Sequence, residues 1–508
     1  MGEGDGIISE DFSILDLYGK ERDPESIAPF YQDLNISQII DKMCRRWGKA
    51  VRRYYRYLPG SAEEAAYRRA VYTDVKKEAT YRSLMAFTEA MEEVKDLHGE
   101  KEKVSDPTQK AVWQIREICA YCSTYEKLEH ELSEQELSSE GMNSFLQILR
   151  NTIKSEEYLS VRSKSEALMD QIRKIRFMIT YDRDRMMITP VEAEGGGEYE
   201  KMLREKSGRE IHHLKNPFRA DPYLCELEKA AIEILLKKKA GFFRELIDAA
   251  GSSRDHGSAV LRRFEQEIQF YLSFRTLSRD MEKEGFSFAT PVCTESKRIE
   301  AEGSYDLALA LSSLSSGKKV VSNDLYLNEN ESFYVLTGPN QGGKTTFARS
   351  LGQLVYFSSI GLDVPAVSAS LPFFSEIQTH FSVEESIETG RGKLKEELTR
   401  LAPMMEENKT GSFVVINELF TTAASYDAQI MGRKVLKHFI SLSCRGIYVT
   451  HLKGLADEQD SVVSLRAMLD KDNIQTFKIT RGDDEGIACA ENVVKKYRLT
   501  YEQLKERL

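Results

Sequence analysis

The stretch SFYVLTGPNQGGKTTFARS, residues 332–350, passes from an apolar, β-rich run through a glycine-rich loop into a helix-compatible segment. Gly338, Pro339, Asn340, Gln341, Gly342, Gly343, Lys344 and Thr345 satisfy the pattern GxxxxGK[ST], and a strand before with a helix after is the context that gives the pattern meaning. In such a loop the glycines let backbone N–H groups turn inward on phosphate oxygens, and the following helix N-terminus adds a dipole that favours an anion. Lys344 is expected to neutralise β/γ-phosphate charge and Thr345 to offer a hard oxygen to Mg²⁺, with Thr346 bordering the same phosphates. ATP and Mg²⁺ are therefore the expected ligands.

Working outward, SFVVIN from Ser412 and GIYVTH from Gly446 are two further β-rich runs, separated by helical segments, which is the alternation of a mainly parallel α/β sheet. The first ends in Asn417-Glu418. Glu418 suits a carboxylate that polarises an attacking water, and Asn417 stands where an aspartate normally holds the magnesium shell through water. An amide supplies no negative charge there. His451 follows the other run, at a strand end that can face the γ-phosphate crevice of an open sheet. The plainer readings are a buried strand leading to a capped helix, and a histidine satisfied by its surroundings.

These residues resemble one family. LTGPNQGGKTTFARSLGQLVYFSSIGLDVPA, from Leu336, is similar to the Walker A region of MutS proteins down to the GPNxGGK core and the closing GxxVPA. INELFTTAASYDA from Ile416 resembles the family's Walker B and D-loop segment, keeping Tyr426-Asp427 while altering most of the small-residue turn. VTHLKGL from Val449 resembles its TH switch, and weaker similarity extends from YRRAVYTDV at Tyr67 to the closing KKYRLTYEQLKERL.

The resemblance implies a homodimer through paired ATPase domains, each nucleotide closed in trans by a signature loop, and helical levers that lead to a DNA-touching clamp. Here that loop falls in ESIETGRGKLKEEL from Glu385, with Gly390, Gly392 and Lys393 as its candidate residues. The usual Ser-Thr-Phe core reads Gly392-Lys393-Leu394; either Lys393 substitutes as a cation or the motif has decayed. As departures from the family's layout, the sequence is expected to lack room for an N-terminal mismatch-recognition domain before the lever and to carry neither a dimerisation nor a nuclease extension after the ATPase domain.

Upstream, helical periodicity dominates, with YRRAVYTDVKKEATYRSLMAFTEAMEEV from Tyr67 and KAVWQIREICAYCSTYEKLEHEL from Lys110 separated by the Asp106-Pro107 boundary. Two β-leaning runs around Tyr181 to Asp184 read as a hairpin. The expected architecture is multi-domain α and α/β: a polar leader at 1–30, a helical lever region at 31–285 with a clamp-like insertion at about 150–220, and a P-loop NTPase domain of the ABC/MutS type at 286–508.

The chain has 508 residues, 41% apolar and 30% charged, with a net charge of −10. That length asks for two or three folded units, and that charge gives no global attraction to nucleic acid, so DNA contact would need a local basic surface. Arg150, Lys154, Arg162, Lys164, Arg173, Lys174 and Arg176 offer one; a solvated helix face explains them equally well. Seven scattered cysteines, no apolar run long enough for a membrane span and a polar start point to the cytoplasm. Cys119-x-x-Cys122 lacks a second pair, which favours two thiols on a helix face over zinc.

Two functions follow: a DNA-dependent ATPase coupling closure to a branched or junction DNA, or a nucleotide-gated scaffold that hydrolyses little. The short spacing from Lys344 to Glu418 argues against a motor of the SMC or transporter type.

Overall fold

The computed structural model describes residues 12–18, 28–182, 185–191, 211–215, 218, 226–252, 258–317, 319–382, 393–406, 409–452, 454–456, 459–470, 474–482 and 505. Two compact units emerge, one from Met1–Phe12 with Asp74–Glu265 and the other from Ser13–Thr73 with Gln266–Leu508. The chain thus passes between the units at 12/13, 73/74 and 265/266.

Helices α1 (Phe30–Asp33), α2 (Ile36–Met43) and α3 (Ala62–Lys76) come first, followed by the long pair α4 (Glu78–Lys103) and α5 (Pro107–Ser133). Asp106 caps α5 by accepting from Gln109 N at 2.7 Å, and Pro107 occupies its first turn, where no N–H is needed. Ser139 and Ser155 cap α6 (Glu140–Lys154) and α7 (Glu156–Lys174) in the same way. Ile115, Ile118, Leu168, Ile172, Leu235 and Leu246 build the core of this unit, drawing on α5, α7, α8 (Glu226–Lys238) and α9 (Ala240–Ser252). Beyond α7 lie β1 (Arg176–Asp182) and β2 (Arg185–Val191), antiparallel with Asp182 opposite Arg185; β3 (Ile211–Lys215) pairs with the other edge of β1. Helix α10 (Ala259–Lys283) follows. Among the described residues no helix is long and apolar enough to cross a membrane.

The α/β unit contains β4 (Val292–Cys293), β5 (Ile299–Ser304), α11 (Leu307–Ser316), β6 (Asn323–Leu327), β7 (Phe333–Thr337), α12 (Lys344–Ser359) and β8 (Ser368–Leu371). It continues through β9 (Ile377–Phe381), α13 (Lys393–Leu401), β10 (Phe413–Asn417), α14 (Ser425–Ser441), β11 (Arg445–Val449), β12 (Val462–Leu469) and β13 (Gln475–Arg481). Six strands form a sheet of order β13-β12-β7-β11-β10-β9, parallel except at the β13 edge, and a second sheet runs β4-β8-β5-β6. Every residue of β7, β9, β10 and β11 is buried. Parallel strands covered on both faces need such uninterrupted burial, which is why β7 and β10 read as apolar runs rather than alternating ones.

The N-terminal segment is stitched into this unit through α12. Arg349 Nε donates to the Asp33 carbonyl at 2.9 Å and Gln353 Nε2 to the Leu34 carbonyl at 2.9 Å. A side chain at Gly352 would put its Cβ 2.6 Å from Leu34 Cδ2, so glycine is needed for the approach. The Asp33 carboxylate accepts from Thr379 Oγ1 at 2.6 Å and Arg400 Nη2 at 3.3 Å. These bonds explain why residues 13–73 are compact with the sheet and not with the helices that follow them in sequence.

Candidate active site

The glycine-rich loop leaves the C-terminal end of β7 and feeds α12. Gly338 has φ +135°, and a Cβ there would fall 3.0 Å from Ala467 Cβ and 3.2 Å from its backbone nitrogen. Gly343, at φ +86°, is the N-cap of α12, with Phe477 Cδ1 3.3 Å from where a Cβ would stand. Gln341 adopts the left-handed region at φ +62° without being glycine. Gly342 approaches the Pro339 carbonyl, to which its own N–H donates at 3.2 Å. Lys344 opens the helix and is 4% exposed; its Nζ donates to the carbonyls of Gly338 at 2.8 Å and Pro339 at 2.9 Å. The loop therefore carries its own buried cation, beside the first-turn amides that every α-helix leaves without intrahelical partners.

A cavity of about 600 Å³ opens over this loop, bordered by Asn340, Gln341, Lys344, Thr345, Glu418 and Phe477 among others, with Gly343 and Thr346 also on its wall. Its volume falls within the usual range for ligand pockets, roughly 300–1,000 Å³. Sequence reasoning misses one wall of it. Phe477 sits at φ +59° on β13, and Asn323 on β6 fixes it by donating to the Phe477 carbonyl at 3.1 Å while accepting from Ile479 N at 2.8 Å. No local signal announces that pairing, which joins residues more than 150 positions apart.

Glu418 also borders the cavity, and Asn417 and His451 are bonded to its lining from the ends of two neighbouring strands. Asn417 closes β10, is 7% exposed, and its Oδ1 accepts from Thr345 Oγ1 at 3.2 Å. Glu418 follows at φ +57°, its N–H donating to the Val449 carbonyl at 2.9 Å, and Phe420 is again left-handed at φ +62°. Two non-glycine residues in that region cost about 1 kcal/mol or more each, so the surrounding bonds must hold the turn. His451, just beyond β11, brings Nε2 to 2.9 Å from Glu418 Oε1. Next to it, Thr450 N donates to the Leu336 carbonyl at 3.0 Å, tying this strand end to β7. Thr345, Asn417, Glu418 and His451 thus gather at the carboxyl ends of β7, β10 and β11, the position where open α/β sheets bind ligands.

Of the candidate signature residues, Lys393 is the first residue of α13, whereas Gly390 and Gly392 lie outside the described residues. In the helical unit Arg150, Arg162 and Arg173 pair with Glu129 at 2.8 Å, Glu126 at 2.7 Å and Asp170 at 3.5 Å. Part of the basic stretch is thereby balanced within its own unit, while Lys154, Lys164 and Lys174 are exposed.

Residues 334–493, which run from β7 past β13 and include Lys344, Glu418 and His451, match the family model described as MutS domain V. Endonuclease MutS2 of Clostridium perfringens (strain SM101 / Type A) is 25% identical over 359 residues, covering 69% of this chain and 43% of that protein. DNA mismatch repair protein MutS of Thermotoga neapolitana is 29% identical over 170 residues, 33% of this chain and 21% of its own length. DNA mismatch repair protein MSH6 of Arabidopsis thaliana is 32% identical over 173 residues, 34% of this chain and 12% of its own. The chain spans less than half the length of each of these relatives.

Proposed function

The chain belongs to the MutS family, and from that premise we propose that it binds ATP with Mg²⁺ over the loop at Lys344 and hydrolyses it with Glu418. The observation that carries the reading is that Lys344, Thr345 and Glu418 line one cavity, with Asn417 bonded to Thr345 and His451 to Glu418. The donor set suits the ligands. First-turn amides and a buried ammonium match a polyphosphate, and the adjoining Thr345 and Asn417 oxygens are the hard donors that Mg²⁺ prefers. Bound there, the ion supplies positive charge against the β- and γ-phosphate oxygens.

The geometry supports a role for each of the protein's own residues. Lys344 exchanges its two carbonyl acceptors for phosphate oxygens. Glu418 takes a proton from the attacking water, and His451 holds the carboxylate in place from the rim. Asn417 keeps the hydrogen bond to Thr345 but brings no charge, so turnover is slow. By kinship we extend the proposal to a cytoplasmic homodimer closed through its ATPase domains, with Gly390, Gly392 and Lys393 meeting the partner's nucleotide, and with helical arms acting on branched or junction DNA.

A second reading, a switch that binds ATP and scarcely hydrolyses it, is favoured by the same neutral Asn417. Single-turnover hydrolysis with Glu418→Ala separates the two. The ATPase reading expects phosphate release to fall about 10²- to 10³-fold with ATP binding retained; stoichiometric binding with no Glu418-dependent release establishes the switch. Binding to duplex, mismatched and four-way-junction DNA, with and without ATP, tests the arm function, and equal weak binding to all three removes it.

A further inference from the structure

Glu397 lies midway along α13, is 2% exposed, and its Oε2 accepts from the backbone N–H of Phe420 at 3.1 Å. Phe420 stands two residues beyond Glu418, and both are left-handed, with the buried Leu419 between them. That turn is tethered on one side by the Glu418 N–H to the Val449 carbonyl and on the other by Glu397. A carboxylate on a backbone N–H is a charge-assisted bond, roughly twice as strong as a neutral one, and burial removes the water that would compete for it. Helix α13 is itself fixed: Arg400 donates to the Phe381 carbonyl at 3.1 Å and to Asp33 at 3.3 Å, and His380 Nε2 lies 3.3 Å from the Glu397 carbonyl.

We propose that Glu397 is a positioning residue for hydrolysis: through the Phe420 backbone it sets the turn that presents Glu418, so that movement of α13 is felt at Glu418 of the same chain. The inference rests on the reading of Glu418 as the group that activates water. It assigns to α13 a task within its own subunit, carried by a bond that joins residues 23 positions apart across two elements.

Two variants test it. Glu397→Leu removes the acceptor at similar size, and Glu397→Gln retains an oxygen able to accept the same N–H. Glu397→Leu is expected to lower the single-turnover rate of ATP hydrolysis about tenfold, the effect of losing one positioning hydrogen bond, while the Kd for ATP changes less than about twofold. Glu397→Gln should restore the rate to within about threefold of the parent. Amide hydrogen exchange over residues 413–423 should accelerate in Glu397→Leu and not in Glu397→Gln. In a Glu418→Ala background, Glu397→Leu should cause no further loss of rate.

An unchanged rate and exchange in Glu397→Leu overturns the proposal. So does an equal loss in both variants accompanied by a lowered Tm, or a full tenfold loss on top of Glu418→Ala. Should the parent protein release phosphate independently of Glu418, the proposed function fails by that measurement, while the exchange data still report whether Glu397 holds the turn.

Discussion

The two walls of the cavity are built from different material. On the cradle side the backbone sets the shape: Gly338 and Gly343 are held at positive φ, against Ala467 and Phe477, beside one buried lysine. On the strand-end side the arrangement belongs to side chains, Asn417 bonded to Thr345 and His451 to Glu418. The difference explains which wall keeps to its expected pattern. A residue with a Cβ at Gly338 disturbs the fold at once. Exchanging Asn417 for an aspartate keeps the size and an oxygen able to accept from Thr345, and adds only the charge. A backbone wall constrains sequence through stability, whereas a side-chain wall can change its chemistry while the sheet beneath it stays intact.

The contrast can be broken most sharply at the cradle. Lys344→Ala should weaken ATP binding about a hundredfold or more, since a charge-assisted contact to phosphate is removed, and nucleotide-dependent dimerisation should go with it. Fluorescent-nucleotide titration and sedimentation measure both, and unchanged affinity would remove the assignment of the loop.

The side-chain wall can be loosened from beneath by acid. His380 on β9 is paired with Ile416, one residue before Asn417. Burial, and then the neighbouring Arg400 charge, push its imidazole down to about 4. The folded state keeps it neutral while the unfolded chain protonates it near 6.5, so its contribution to stability is full above that value and is lost as the pH falls towards about 4. Between pH 7 and 5.5 the cost should be roughly 1–2 kcal/mol, visible in denaturant midpoints and flattened in His380→Gln.

The smallest effect restores the missing charge. Asn417→Asp should raise Mg²⁺-dependent turnover by about three- to tenfold, read from kcat against Mg²⁺ concentration. A loss of turnover would mean that the amide has a role of its own, and the two walls would then be equally specialised.

Much of the α/β unit was legible in the sequence because its information is local. The buried parallel strands appear as apolar runs, the cradle as glycines at fixed offsets, and the boundary of α5 as Asp106-Pro107. The strands β1 and β2 stand where two β-leaning runs flank Tyr181 to Asp184. What escaped is held by contacts between distant residues. Nothing near Asp33 signals that Arg349, Thr379 and Arg400 will bind it, and nothing near Phe477 signals Asn323. Glu397 looks like one more charge on a helix of mixed charge until its partner, the Phe420 amide, is seen.

The attachment of Asp33 to Arg349, 316 residues later, bears on biosynthesis. At ribosomal rates of about 5–20 residues per second, Leu34 and its neighbours emerge roughly a quarter of a minute to a minute before the helix that will receive them exists. Asp74–Glu265 is synthesised within that interval and is sequence-continuous, so it is free to close first. The α/β unit must wait for its later half, and the apolar residues of its early half are the part of the nascent chain in greatest need of chaperone cover.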